Sequence, residues 1–304
     1  MKVLRFKPLA AAAVIIFAAS FASAQKSRPK AKPVQPQKSI IFAVISDGKT
    51  LEPIAFVDKG KLSSTDTSGV EANVTAAFTK TYYKPKGTYN LIFGGVNSGT
   101  VTVVTSDPTA ECTSNMANVT TTAPKAKLKG LVMGLATNVK VTTGTSYRRL
   151  PTPAERTEIE GLVRAEFTKQ KVDGRLDYHN LTAIDVDRDG MAELVGSFFI
   201  KTGPKSRALL FFIADKGADG KYSFGFNEFD KMDESSMMSG ADIEAVDTGV
   251  YNELLLDSLE LDGDKVNEIF TYVKSLEGAG FNVYKREGGK WIRSFEGSNY
   301  HCAF

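Results

Sequence analysis

Histidine is scarce in this chain: only His179 and His301 occur in 304 residues. Neither sits in an H-E-x-x-H or nucleophile-elbow setting, G-x-S-x-G and G-x-x-x-x-G-K are both absent, and the common hydrolase and phosphate-loop signatures are therefore excluded. Ser46-Asp47-Gly48-Lys49 satisfies S-x-x-K, but its Asp-Gly lies between two strand-like runs, where a hairpin turn is expected rather than the helical spacing a Ser-Lys pair needs. Acid pairs such as Asp257 and Glu260 imply no specific acid-base geometry. Long apolar runs are missing too. The longest, Leu9 to Ala19, falls short of the roughly 18 to 20 residues that span a bilayer. Following Lys2, Arg5 and Lys7 and preceding Ala22-Ser23-Ala24, it reads as a secretory signal peptide over 1–24, cleaved before Gln25. No transmembrane segment is expected in the mature chain.

Basic charge is confined to the same end. The whole chain carries +3; the leader accounts for all of it, and the Pro/Lys segment 25–38 contributes five more cations, so 39–304 stands at −5. A nucleic-acid partner is thereby disfavoured, and 25–38 reads as a disordered linker lacking the apolar residues to fold. There are two cysteines, Cys112 and Cys302. In an exported chain they are expected to pair, with free buried thiols as the alternative.

The most informative stretch that is present is Asp185-Val186-Asp187-Arg188-Asp189-Gly190-Met191-Ala192-Glu193. Acids at loop positions 1, 3 and 5 can converge on a hard cation such as Ca2+, and a glycine at position 6 lets the chain turn sharply. An EF-hand needs glutamate at position 12 and flanking helices. Here position 12 is Gly196, and Glu193 to Ile200 is rich in β-branched and aromatic residues, as a strand is.

A second copy begins 75 residues later at Glu260-Leu261-Asp262-Gly263-Asp264-Lys265-Val266-Asn267-Glu268. The strands expected after the first loop are Glu193 to Ile200, Ala208 to Ala214 and Lys221 to Phe226; after the second they are Glu268 to Val273, Gly280 to Lys285 and Lys290 to Phe295. Recurrence of a whole loop-and-strand unit is stronger evidence than one motif. The pattern over about 179–296 resembles FG-GAP or VCBS-type repeats, as found in integrin α-subunit propellers. That resemblance implies a calcium ion held by Asp185, Asp187, Asp189, Glu193 and the main-chain oxygen of Met191. The second loop (Glu260, Asp262, Asp264, Glu268) departs from the pattern at position 1, Glu instead of Asp, and at position 6, Lys265 instead of Gly. A metal-free structural hairpin is its alternative reading.

Upstream, Ile40 to Ile45 with Leu51 to Val57, and Tyr89 to Phe93 with Thr100 to Thr105, read as hairpins. The Thr-rich stretches Ala72 to Tyr83 and Val119 to Thr122 read as further strands. Thr152-Pro153-Ala154-Glu155 is a capping box opening a helix to about Gln170, with an apolar stripe of Ile159, Leu162, Val163 and Phe167. The expected fold is mainly β with one long helix: a β-rich module over 39–149, then over 150–304 the helix and a pair of propeller-blade-like antiparallel repeats. A single small diverged β-propeller is the alternative. The functional expectation is a periplasmic or extracellular calcium-stabilised binding or structural protein, its partner a cell-envelope protein or glycan. An exported hydrolase is the alternative. An outer-membrane barrel, suggested by terminal Phe304 and Tyr300, is disfavoured by the helix and the acidic loops.

Overall fold

A computed structural model describes residues 37–67, 71–237 and 241–302. The expected leader, most of the basic linker and Phe304 lie outside the described residues. In chain order the elements are β1 (Ser39–Ile45), β2 (Thr50–Asp58), β3 (Lys61–Ser64), α1 (Ala72–Tyr82), β4 (Thr88–Ile92), β5 (Asn97–Ser106), β6 (Ala117–Thr122), β7 (Gly134–Thr137) and β8 (Arg148–Arg149). They continue with α2 (Pro153–Lys169), β9 (Leu176–Ile184), β10 (Glu193–Gly203), β11 (Ser206–Lys216), β12 (Tyr222–Asp233), β13 (Glu253–Leu259), β14 (Glu268–Lys274), β15 (Gly278–Glu287) and β16 (Lys290–Tyr300). The fold is mainly β, with few helices, as expected.

The N-terminal strands close into a six-stranded antiparallel barrel in the order β1-β7-β4-β5-β6-β2, β2 pairing back onto β1, with β3 added outside. Closure removes the sheet edges. The alternative in which these hairpins are diverged propeller blades is therefore corrected: they wrap one interior. β1 shows why its sequence, SIIFAVI, is apolar without alternation. Ile40, Phe42 and Val44 fill the barrel with Leu51, Leu91, Val101 and Val119, whereas Ile41, Ala43 and Ile45 face outward onto Leu254, Leu256, Phe270 and Phe281. Both faces are buried, so period-2 polarity is lost.

Ala72–Tyr82 is a helix, not the strand its threonines suggested. Thr75, Phe78 and Tyr82 recur at helical spacing and are its buried residues, Phe78 and Tyr82 joining the barrel core with Tyr83 and Phe42. Burial of that stripe outweighs the modest helix propensity of threonine.

The C-terminal half contains two four-stranded antiparallel meanders, β9-β10-β11-β12 (with β8 added at the β9 edge) and β13-β14-β15-β16. α2 begins at the expected capping box, with Thr152 Oγ1 accepting from the Glu155 N–H and Glu155 accepting from the Thr152 N–H. Its Ile159, Val163 and Phe167 cover one face of the first meander, against Leu181, Leu194, Phe198 and Phe212. The other face, through Ile184, Val195 and Ile213, packs on Leu255, Ile269, Tyr284 and Trp291 of the second meander. The layers thus run helix, first meander, second meander, barrel. Burial of apolar surface at about 25 cal/mol per Å2 holds each junction.

Cys112 and Cys302 lie at disulfide distance, their Cα atoms 5.2 Å apart across a sequence separation of 190. Among the described residues no helix is long and apolar enough to cross a membrane.

Candidate metal loops and the cleft between them

The two acidic segments are the hairpin connections of the two meanders, closed by the pairs Ile184↔Glu193 and Leu259↔Glu268. Their internal bonding is nearly the same. The position-9 glutamate folds back to accept the position-2 N–H: Val186 to Glu193 Oε2 at 3.1 Å, Leu261 to Glu268 Oε2 at 3.1 Å. The position-3 aspartate accepts from position 5 (Asp189 N–H to Asp187, 3.3 Å; Asp264 N–H to Asp262, 3.1 Å), and the position-5 aspartate accepts from position 7 (Met191 N–H to Asp189, 2.7 Å; Val266 N–H to Asp264, 2.8 Å). Position 1 differs: Asp185 accepts from Gly190, while the longer Glu260 reaches Gly263.

Both loops are left-handed at positions 4 and 6. Arg188 has φ 62° and Gly190 φ 89°; Gly263 has φ 89° and Lys265 φ 74°. Each loop therefore needs two residues with positive φ but supplies one glycine, at position 6 in the first and position 4 in the second. The departure at Lys265 has not altered the backbone path.

Carboxylate oxygens of Asp185, Asp187 and Asp189 lie within 4.8 Å of one another, and those of Glu260, Asp262 and Asp264 do the same. Two oxygens on one Ca2+, each at about 2.3 to 2.6 Å, can be no more than about 5 Å apart, so both triads match a shared ligand sphere. Asp185 Oδ1 is buried without a hydrogen-bond partner. Glu193 and Glu268 stand outside these triads, and Met191 is exposed.

The two loops differ in countercharge. Arg286 of β15 reaches into the first, donating to Asp187 (2.8 Å), Glu193 (2.6 Å) and Asp215 (2.6 Å), and lies over the Trp291 ring at 4.8 Å. Burial pushes the Glu193 carboxyl up to about 7, opposed by the Val186 N–H and Arg286. The adjacent Lys285 serves the second loop, pairing with Asp262 at 2.5 Å. Successive side chains leave a strand on opposite sides, so one dipeptide counters both loops. Glu268 has no ion-pair partner among the described residues. Burial pushes it up to about 8, and Asp262, Asp264 and Glu260 add to the rise.

A cleft of about 490 Å3 opens between the loops, with Asp187 and Arg188 on one side, Glu260 and Lys265 on the other, and Gly95 and Lys140 of the barrel module closing it. The loops touch through the Asn267 N–H, which donates to the Val186 carbonyl at 2.9 Å. Behind the cleft Asp257, fully buried, ties the layers together. It accepts from the Gly94 and Gly95 N–H groups at 2.9 Å each and pairs with Arg148 at 3.1 Å. Gly94 and Gly95 have φ 69° and 71°, and a Cβ on Gly95 would come within 2.3 Å of Asn267 Nδ2. This junction was not anticipated. Its one sequence signal is an aspartate inside the leucine run LLLDSL.

The remaining residues singled out from sequence take structural positions. His179 stacks on Phe199 at 4.7 Å and bonds the Val246 carbonyl at 3.1 Å, and burial lowers its pKa. His301 pairs with buried Glu52 at 2.8 Å. Ser46 and Lys49 lie in the β1–β2 turn. No family model, curated protein or solved structure matches the chain.

Proposed function

We propose that this chain is an exported, calcium-stabilised binding or structural protein of the cell envelope or exterior, built on two FG-GAP-like repeats. The observation that carries the reading is that the two hairpin loops share their hydrogen bonds at positions 3, 5 and 9, each gathering three carboxylates within 4.8 Å. Three carboxylates held that close repel unless a cation lies among them. In the first loop Asp185, Asp187 and Asp189 would hold the ion, with the Met191 carbonyl and Glu193 as the further ligands that the resemblance implies. Arg286 takes one oxygen each of Asp187 and Glu193, so calcium would share these carboxylates with the guanidinium. All of these ligands belong to one hairpin, so the metal would brace the β9–β10 connection, which makes its role structural. The partner would meet that cleft, where carboxylates and cations alternate.

The test is thermal unfolding in chelator and in millimolar calcium. With Kd about 0.1 to 1 mM, 10 mM calcium should stabilise by about 1.4 to 2.7 kcal/mol. An unchanged melting temperature would overturn the reading.

A further inference from the structure

A second cleft, of about 440 Å3, lies between β12 and the second meander, away from both acidic hairpins. Its volume is that of a small-ligand site. Glu253, the first residue of β13, forms part of its wall together with Asn252, Tyr251, Phe211 and Arg293. All the donors to Glu253 converge on one oxygen: Thr271 Oγ1 at 2.5 Å, Tyr284 Oη at 2.8 Å and Asn282 Nδ2 at 3.0 Å reach Oε1. No described residue donates to Oε2. Asn252, 1 % exposed, gives its amide nitrogen to the Val246 and Val250 carbonyls at 2.9 and 3.1 Å. Those two acceptors fix the amide orientation and leave Oδ1 buried with no donor.

The cation of this cleft is already committed. Arg293 donates to Glu228, to Glu296 at 2.8 Å and to the Tyr284 hydroxyl at 3.2 Å. The wall therefore offers two acceptors in want of donors, two further carboxylates in Glu228 and Asp230, and the rings of Phe211 and Tyr251. An anion is repelled by this set, and a sugar hydroxyl brings more acceptors than donors. A group with three donors, no acceptor and a positive charge satisfies it, and aromatic walls favour the same charge.

We infer that this cleft is a binding site for a small primary alkylammonium ion, whose N–H groups are received by Glu253 Oε2 and Asn252 Oδ1. Burial raises the Glu253 carboxyl above its ordinary value, opposed by the Thr271, Asn282 and Tyr284 donors and by the charge of Arg293. The site is independent of calcium.

The probe is n-butylammonium chloride, titrated calorimetrically into the full chain beside 1-butanol, its neutral counterpart, and tetraethylammonium, which has charge but no N–H. Saturable heat is expected with butylammonium, with binding at least tenfold weaker for the other two. Glu253→Gln should weaken butylammonium at least tenfold while its melting curve matches the parent's. Because that variant could lose its fold, the side-chain amide resonances of Asn252 and Asn282 in the unmutated protein supply a second readout; both should shift with butylammonium and not with butanol. Equal responses to butylammonium and butanol, or full affinity in a folded Glu253→Gln, would overturn the assignment.

Discussion

The Asp185 and Glu260 loops share a backbone but not a charge balance. In the first, a guanidinium reaches the buried position-9 carboxylate; in the second, an ammonium stops at the outer Asp262 and leaves Glu268 alone. Loop shape is thus set by local hydrogen bonds from backbone N–H groups to Asp side chains, which both copies retain at positions 3 and 5. Charge is set by a neighbouring strand, where one Arg and one Lys diverge. The position-6 glycine, which distinguishes the first motif on paper, leaves the backbone path unchanged, and the long-range partner decides the charge.

The largest effect expected from this contrast is at β15. Arg286→Met strands the buried Glu193 beside Asp187 and Asp215 and should cost about 3 kcal/mol in chelator at pH 8. Lys285→Met, at a partly exposed pair, should cost no more than about 1 kcal/mol. Urea unfolding of the two variants measures both, and equal costs would erase the distinction.

The pH response comes next. Glu193 and Glu268 hold folded values of about 7 and 8, above the ordinary 4.5, so the folded chain binds more protons than the unfolded one across that window. Stability in chelator should therefore fall as pH rises from about 4.5 to 8. Glu268→Gln should remove the part of the decline that extends to 8, and Glu193→Gln only a part ending near 7. Glu155 at the α2 cap runs the other way. Its hydrogen bond to Arg149 leads in holding it down at about 2, so its contribution is present above about 4.5 and is lost as pH falls through 2. Glu155→Gln should cost about 1 kcal/mol at neutral pH and progressively less in acid. Chemical denaturation across pH separates the opposite slopes.

The smallest effect concerns the turns. Lys265→Gly should stabilise the second loop by up to about 1 kcal/mol, because φ 74° strains a side chain. Gly190→Ala should cost the first about the same, its added Cβ meeting no atom within 4 Å. Melting curves of the pair would show shifts of opposite sign.

Much of this was legible in advance. The hairpins around Asp47-Gly48 and Gly94-Gly95, the capping box at Thr152, and the strands following both acidic loops are local signals that survived packing. What local reading missed is tertiary. Ala72–Tyr82 reads as a strand by its threonines but presents Phe78 and Tyr82 to the barrel as a helix. Closure of the barrel depends on β1 pairing with both β2 and β7, which no short motif announces. Arg286 stands 93 residues from Glu193, and nothing in YKREGG says which loop it will serve. The three aspartates of the site were readable because their spacing carries the chemistry. Their countercharge was not, because only the packing of one meander on the other creates it.

The central claim, that the Asp185 loop holds calcium, is tested most directly by calorimetric titration of the full chain beside Asp187→Ala and Asp262→Ala. The account predicts saturable calcium heat with Kd about 0.1 to 1 mM, abolished by Asp187→Ala and retained in Asp262→Ala. Absence of calcium-dependent heat in the parent, or its survival in Asp187→Ala, would contradict it.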